Sequence, residues 1–131
     1  MTHEAVRVPG GRILVIDDEP HIRRVLSTVL DAHGFRVSSA ADGARGLAAF
    51  HAGTADLVIL DLMLPDANGL EILSKIRASS SRPATPVIIL TAKGQDTDRE
   101  AAMAGGANDF MTKPFSPKKL IARIDEILAE G

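Results

Sequence analysis

Five short apolar runs, each followed by a stretch of helical periodicity, leave this chain few ways to fold. The runs lie near 12–16, 35–39, 56–60, 86–90 and 107–111. Three are apolar without interruption: Ile13-Leu14-Val15-Ile16, Leu57-Val58-Ile59-Leu60 and Val87-Ile88-Ile89-Leu90. A strand wetted on one face alternates apolar with polar residues, and a strand covered on both faces does not. These three therefore read as the centre of a parallel sheet. Phe35-Arg36-Val37-Ser38-Ser39 alternates and reads as an edge, and the run through Phe110 and Met111 is polar enough to be the other edge.

The segments between the runs predict five helices. Ile22, Val25, Leu26, Val29 and Leu30 follow the i, i+3, i+4, i+7, i+8 stripe of an amphipathic helix. Pro20 suits its first turn and Gly34 its C-terminal stop. A second, Ala-rich helix fills 43–52. A third runs from Gly69 to Ala78 with Leu70, Leu73, Ile76 and Arg77 on one side. A fourth, near 95–104, has only Ala101, Ala102, Met103 and Ala104 as apolar residues, and a fifth runs from Pro117 to Ala129. Right-handed crossovers turn five βα units into a doubly wound α/β domain. Strand order 2-1-3-4-5 places the first and third strands side by side, with the switch point between them. Residues 11–131 are expected to form this single domain, after a flexible arm over 1–10.

Ligands of such sheets bind beyond the carboxyl ends of the strands. Asp17 and Asp18 follow the first run, Asp61 the third, Thr91 the fourth and Lys113 the fifth. Singly, each has a plain explanation. Acids favour helix starts, Thr91 suits a strand end, and Lys113 before Pro114 suits a surface loop. Asp61 is harder to explain so, because Leu62-Met63-Leu64-Pro65 offers it no helix start to cap. Together they place carboxylates, a hydroxyl and an ammonium on one rim and none on the other. Clustered carboxylates repel, and a divalent cation such as Mg²⁺ relieves them. A hydroxyl and a lysine beside a metal bind a phosphoryl group. Glu19 is a fourth acid, less clearly aimed at the site. An X-Pro bond at Lys113-Pro114 is open to the cis form, which would fix the lysine's direction.

Bulk properties narrow the function further. A net charge of −2 gives no argument for nucleic acid or an anionic membrane, and four Phe with no Trp or Tyr argue against base-stacking surfaces. The absence of Cys excludes disulfides and thiol chemistry. His3, His21, His33 and His51 show no metal-ligand spacing. No secretory signal or membrane span is evident, and a soluble cytoplasmic protein is expected.

Four motifs carry a resemblance: Val15-Ile16-Asp17-Asp18-Glu19-Pro20, Asp61-Leu62-Met63-Leu64-Pro65 with Asn68-Gly69, Leu90-Thr91-Ala92, and Lys113-Pro114-Phe115. In this order and spacing, the chain from about 12 to 129 resembles the receiver domain of two-component response regulators, with its flavodoxin-like (βα)5 sandwich. The resemblance implies that Asp61 accepts a phosphoryl group from a sensor histidine kinase or histidine phosphotransfer protein. Asp18, Asp61 and the Met63 carbonyl would bind Mg²⁺, and Asp17 would act through a metal-bound water. Lys113, Thr91 and the N–H groups of Met63 and Ala92 would hold phosphoryl oxygens. Thr91 and Phe110 would be the switch residues that alter the face made by the fourth helix, fifth strand and fifth helix. The protein would be a signalling switch with some autophosphorylation and autodephosphorylation capacity rather than a turnover enzyme. Met63 and Lys93 occupy the positions that tune dephosphorylation, and neither suits the orienting of a water, so a long-lived phospho-form is expected.

Residues Thr91 to Phe115 look most like the winged-helix transcription-factor subfamily, whose receivers dimerise through charged pairs. Asp109 and Arg123 retain one such pair. Lys119 would face Arg99, Asn108 replaces a usual Asp, and Glu126 and Glu130 stand where basic residues are common. A monomer, or a weak or differently arranged dimer, is expected, with output through a partner or domain outside this chain and no direct nucleic-acid binding. Competing readings lack their motifs. A haloacid-dehalogenase-type phosphatase needs Asp-x-Asp-x-Thr, and an FMN carrier needs a hydroxyl-rich loop where Asp17-Asp18-Glu19 stands. A degenerate receiver that only binds protein would lack residues that are present here.

Overall fold

The computed structural model describes residues 11–130, so the expected arm over 1–10 lies outside the described residues. Five parallel strands, β1 (Arg12–Ile16), β2 (Arg36–Ala40), β3 (Leu57–Leu60), β4 (Val87–Thr91) and β5 (Asp109–Thr112), form one sheet in the order β2-β1-β3-β4-β5. Helices α1 (Pro20–Ala32), α2 (Gly43–Ala52), α3 (Gly69–Arg77), α4 (Asp96–Ala104) and α5 (Pro117–Glu130) connect and cover it. This is the expected doubly wound topology, with β2 and β5 at the edges. No helix among the described residues is long and apolar enough to cross a membrane.

Side chains of a strand point alternately to opposite faces, so each central strand feeds two cores. Leu14, Ile16, Val58, Leu60, Val87, Ile89 and Phe110 pack with Phe50, Ile72, Leu73, Ile76 and Ala102 from α2, α3 and α4. Ile13, Val15, Leu57, Ile59, Ile88 and Leu90 pack with Leu26, Leu30, Leu120, Ile124 and Ile127 from α1 and α5. Burying one such aliphatic side chain stabilises by roughly 1.5–3 kcal/mol, so these two layers dominate the fold.

The apolar stripe of α3 differs from the expected one. Ile72, Leu73 and Ile76 are its buried large residues, while Leu70 is half-buried. Arg77 leaves the apolar face to bind backbone at the amino ends of the strands. Its guanidinium donates to the carbonyls of Pro83 (2.9 Å), Thr85 (2.6 Å) and Gly106 (2.8 Å) and to Asn108 Oδ1 (3.0 Å). Arg82 donates to the Gly53 and Ala55 carbonyls on the same rim.

Candidate functional site

The sheet's hydrogen-bond ladder continues one step past the strands and fixes three polar residues at the carboxyl rim. Asp17 N–H donates to the Ala40 carbonyl (3.0 Å), Asp61 N–H to the Ile16 carbonyl (3.0 Å), and Lys113 N–H to the Thr91 carbonyl (2.9 Å). Adjacent parallel strands lie about 4.8 Å apart, so Asp17 on β1 and Asp61 on β3 are neighbours. Lys113 arrives from the far edge, and its bond to Pro114 is cis.

The side chains converge. Lys113 Nζ lies 2.9 Å from Asp17 Oδ2, 2.9 Å from Asp61 Oδ2 and 2.5 Å from Glu19 Oε1. Asp17 and Asp61 are almost fully buried and Lys113 is only 9% exposed, whereas Glu19 is 56% exposed. Three carboxylates share one ammonium, which leaves the cluster net negative. Burial lowers the Lys113 pKa, but hydrogen bonds to Asp61, Glu19 and Asp17 outweigh this and hold it above its ordinary value. Burial pushes the Asp17 carboxyl upward. The Glu19 N–H and Lys113 oppose that rise, and the Asp61 charge adds to it.

Carboxylate oxygens of Asp17, Glu19 and Asp61 all lie within 4.8 Å of one another. A hard-oxygen set of this charge fits Mg²⁺, which takes oxygen ligands and retains waters. Asp18 is exposed, and the structure does not bring it into the ammonium cluster. It lines the cleft beside the cluster, with Glu19, Asp61, Met63, Leu64, Pro65 and Ala92. This cleft, of about 440 Å³, has room for a phosphoryl group and a hydrated ion. Glu19 is the residue that sequence reasoning placed least well. Three acids in succession give no sign of which one turns inward.

Asp61 is held from both sides. Its Oδ1 accepts from Met63 N–H (3.0 Å) and its Oδ2 accepts from Lys113. Behind it, the start of α3 presses onto the strand end, where Gly69 N–H donates to the Leu62 carbonyl (2.8 Å). A β-carbon on Gly69 would collide with the backbone of Asp61 and Leu62. Asn68 Oδ1 accepts from Leu70 N–H, and Glu71 Oε1 from Asn68 N–H, a capping box that fixes this start. Nearby, Asp66 accepts from Gly43 N–H (2.7 Å) and Ala44 N–H (3.0 Å). Those bonds hold its carboxyl below the ordinary value.

Thr91 is fully buried, and its Oγ1 accepts from Lys93 N–H (3.2 Å). Phe110 is buried against the α2–α4 side of the sheet, with the Arg99 guanidinium 5.0 Å from its ring centre. Arg123 Nε pairs with Asp109 Oδ2 within this chain at 2.8 Å. Asn108 is exposed, and its Oδ1 accepts from Val87 N–H (2.9 Å) and from Arg77 (3.0 Å). Asp109 and Arg123, which read from sequence as a pair across an interface, thus also pair within one chain.

Comparison with known proteins agrees with this geometry. Residues 13–125 match the response regulator receiver domain family. Transcriptional regulatory protein TcrA of Mycobacterium tuberculosis is 43% identical over 125 residues, covering 95% of this chain and 49% of that protein. The chain spans about half the length of the curated relatives it matches. A response regulator receiver domain protein (CheY-like) from Methanospirillum hungatei superposes with a TM-score of 0.87 at 30% identity, over 92% of this chain and 95% of that one. Chemotaxis protein CheY4 of Vibrio cholerae gives 0.85 at 30% identity, over 90% and 98%. Sheet order, rim chemistry and sequence thus agree, and the chain belongs to the response regulator receiver domain family, the signalling switch of two-component systems.

Proposed function

We propose that Asp61 is the phosphoacceptor. The observation that carries this is Asp61 Oδ2 held 2.9 Å from the nearly buried Lys113 ammonium, at the floor of an open cleft. A carboxylate oxygen of Asp61 attacks phosphorus on a phosphohistidine of a sensor kinase or phosphotransfer protein. The P–N bond breaks, the imidazole nitrogen departs with a solvent proton, and an aspartyl phosphate remains. Lys113, the Thr91 hydroxyl and the N–H groups of Met63 and Ala92 hold the phosphoryl oxygens, so positioning and charge neutralisation do most of the catalytic task. Asp18, Asp61 and the Met63 carbonyl would hold Mg²⁺, and Asp17 would act through a water. The ion supplies positive charge to the transferring group.

The same reading covers output and setting. Phosphorylation shifts a population of conformers through Thr91 and Phe110, and the α4–β5–α5 face changes its affinity for an output domain or partner. The short apolar inventory of α4, with Ala102 as its one buried residue, suits an element of low local stability. The protein acts in the cytoplasm as a monomer or weak dimer, residues 11–131 form the switch module, and its phospho-form is long-lived.

Intact mass after incubation with acetyl phosphate and Mg²⁺ tests the assignment. Wild type gains one phosphoryl group and Asp61→Asn gains none. A gain in both would move the acceptor elsewhere, and decay within seconds would remove the long-lived form.

A further inference from the structure

Glu19 occupies the N-cap of α1, yet its side chain makes no capping hydrogen bond. Helix starts favour Ser, Thr, Asp or Asn there, because a short side chain reaches the free N–H groups. Here Asp17 Oδ1 takes the Glu19 N–H (2.9 Å), and the Glu19 carboxylate extends across the cleft mouth to Lys113. A residue that breaks a local rule has a use elsewhere in the fold.

The use follows from donor counting. An ammonium has three N–H donors. Asp17, Asp61 and Glu19 supply three carboxylate partners for them. A phosphoryl group arriving at Asp61 brings new anionic oxygens that need a donor from Lys113. Asp17 and Asp61 are buried at strand ends and cannot move aside. Glu19, more than half exposed at a helix start, is the partner free to swing into solvent.

We infer that Glu19 is a positioning residue that holds Lys113 in the unphosphorylated state and slows phosphoryl entry. This rests on Asp61 being the phosphoacceptor. Glu19→Gln keeps the side-chain length and removes the charge. Glu19→Asp keeps the charge but is one methylene too short to reach Lys113 from the same backbone position.

The test compares rates of acetyl phosphate incorporation at saturating Mg²⁺, followed by intact mass. Dissociation constants for MgCl₂ on the unphosphorylated proteins are measured beside them by titration calorimetry. Losing one exposed charged contact accelerates incorporation by about two- to fivefold in both variants, while the Mg²⁺ constant weakens by less than about tenfold. A merely structural role would slow incorporation and leave no such split. Equal or slower incorporation in Glu19→Gln overturns the inference, as does acceleration in Glu19→Gln with none in Glu19→Asp, which would reduce the effect to charge repulsion. A larger loss of Mg²⁺ affinity overturns it too, by making Glu19 a metal ligand. If wild type gains no phosphoryl group, the phosphoacceptor assignment falls with it. If wild type gains the group and the variants are no faster, the inference alone falls.

Discussion

The two rims of the sheet treat charge in opposite ways. At the carboxyl rim, three carboxylates compete for one lysine. At the amino rim, the Arg77 guanidinium is surrounded by neutral acceptors, three backbone carbonyls and one amide oxygen. Arg77 has its hydrogen bonds complete and ties the β4 approach to the turn before β5. The carboxyl rim has an excess of negative charge that nothing among the described residues neutralises. Complete satisfaction marks a structural ion, and unmet demand marks a site waiting for a ligand.

Three substitutions would break or sharpen that contrast. The largest effect falls on the amino rim. Arg77→Ala leaves the partly buried Thr85 carbonyl and the more exposed carbonyls of Pro83 and Gly106 without their donor and costs about 1–3 kcal/mol, a fall of roughly 5–10 °C in melting temperature. Calorimetry of the variant checks this, and a loss near zero would show that water replaces the guanidinium freely. Burial lowers the Arg77 pKa, but arginine stays charged at any ordinary pH, so the loss is the same from neutral to mildly alkaline solution.

Asp17→Asn should do the reverse of what salt-bridge counting suggests. The raised Asp17 carboxyl means that its anion is less at ease folded than unfolded. Stability therefore falls as pH rises from the ordinary value of 3.8 to the raised one. Removing the charge leaves neutral-pH stability unchanged or higher by about 0.5–1 kcal/mol, while affinity for Mg²⁺ drops. Urea unfolding at pH 7 measures the first and titration with MgCl₂ the second. A destabilised variant would make the carboxyl rim structural after all.

The smallest effect is at Asp66, a carboxyl-rim acid whose two oxygens each accept a backbone N–H. Its pKa is lowered, so the stability it contributes is present above 3.8 and is lost as pH falls through the depressed folded value. Wild type should melt slightly higher than Asp66→Asn at pH 7, with the gap closing in strong acid. A gap that persists there would assign the effect to shape rather than charge.

The legible parts of this chain were those written in spacing. Continuous runs such as Val87–Leu90 set the central strands, and the polar residue ending each run set the rim, which is why the sequence alone assigns Asp17, Asp61, Thr91 and Lys113 to one end of the sheet. Spacing says less about side-chain direction. Leu70 and Ile72 both fit a helical stripe, and only packing in the core on the α2–α4 side selects Ile72 for full burial. Asp18 and Glu19 are equivalent in pattern, and Asp17 capturing the Glu19 N–H decides which carboxylate turns to Lys113. Outside the site, Arg77 was the least legible residue. Its partners come from residues 83, 85, 106 and 108, and no local pattern announces backbone acceptors gathered from separate turns.

The alternation of strand residues between two cores has a consequence for how such a chain diversifies. Ile13 and Val15 belong to one packing compartment and Leu14 and Ile16 to the other, with only peptide backbone between them. Substitutions on opposite sides share no side-chain cluster, so the energies of those well separated across the sheet should add. A lineage can then rebuild the α1 and α5 side without renegotiating the side that seats Phe110. Drift in one compartment leaves the other, and the acids at the strand tips between them, where they were.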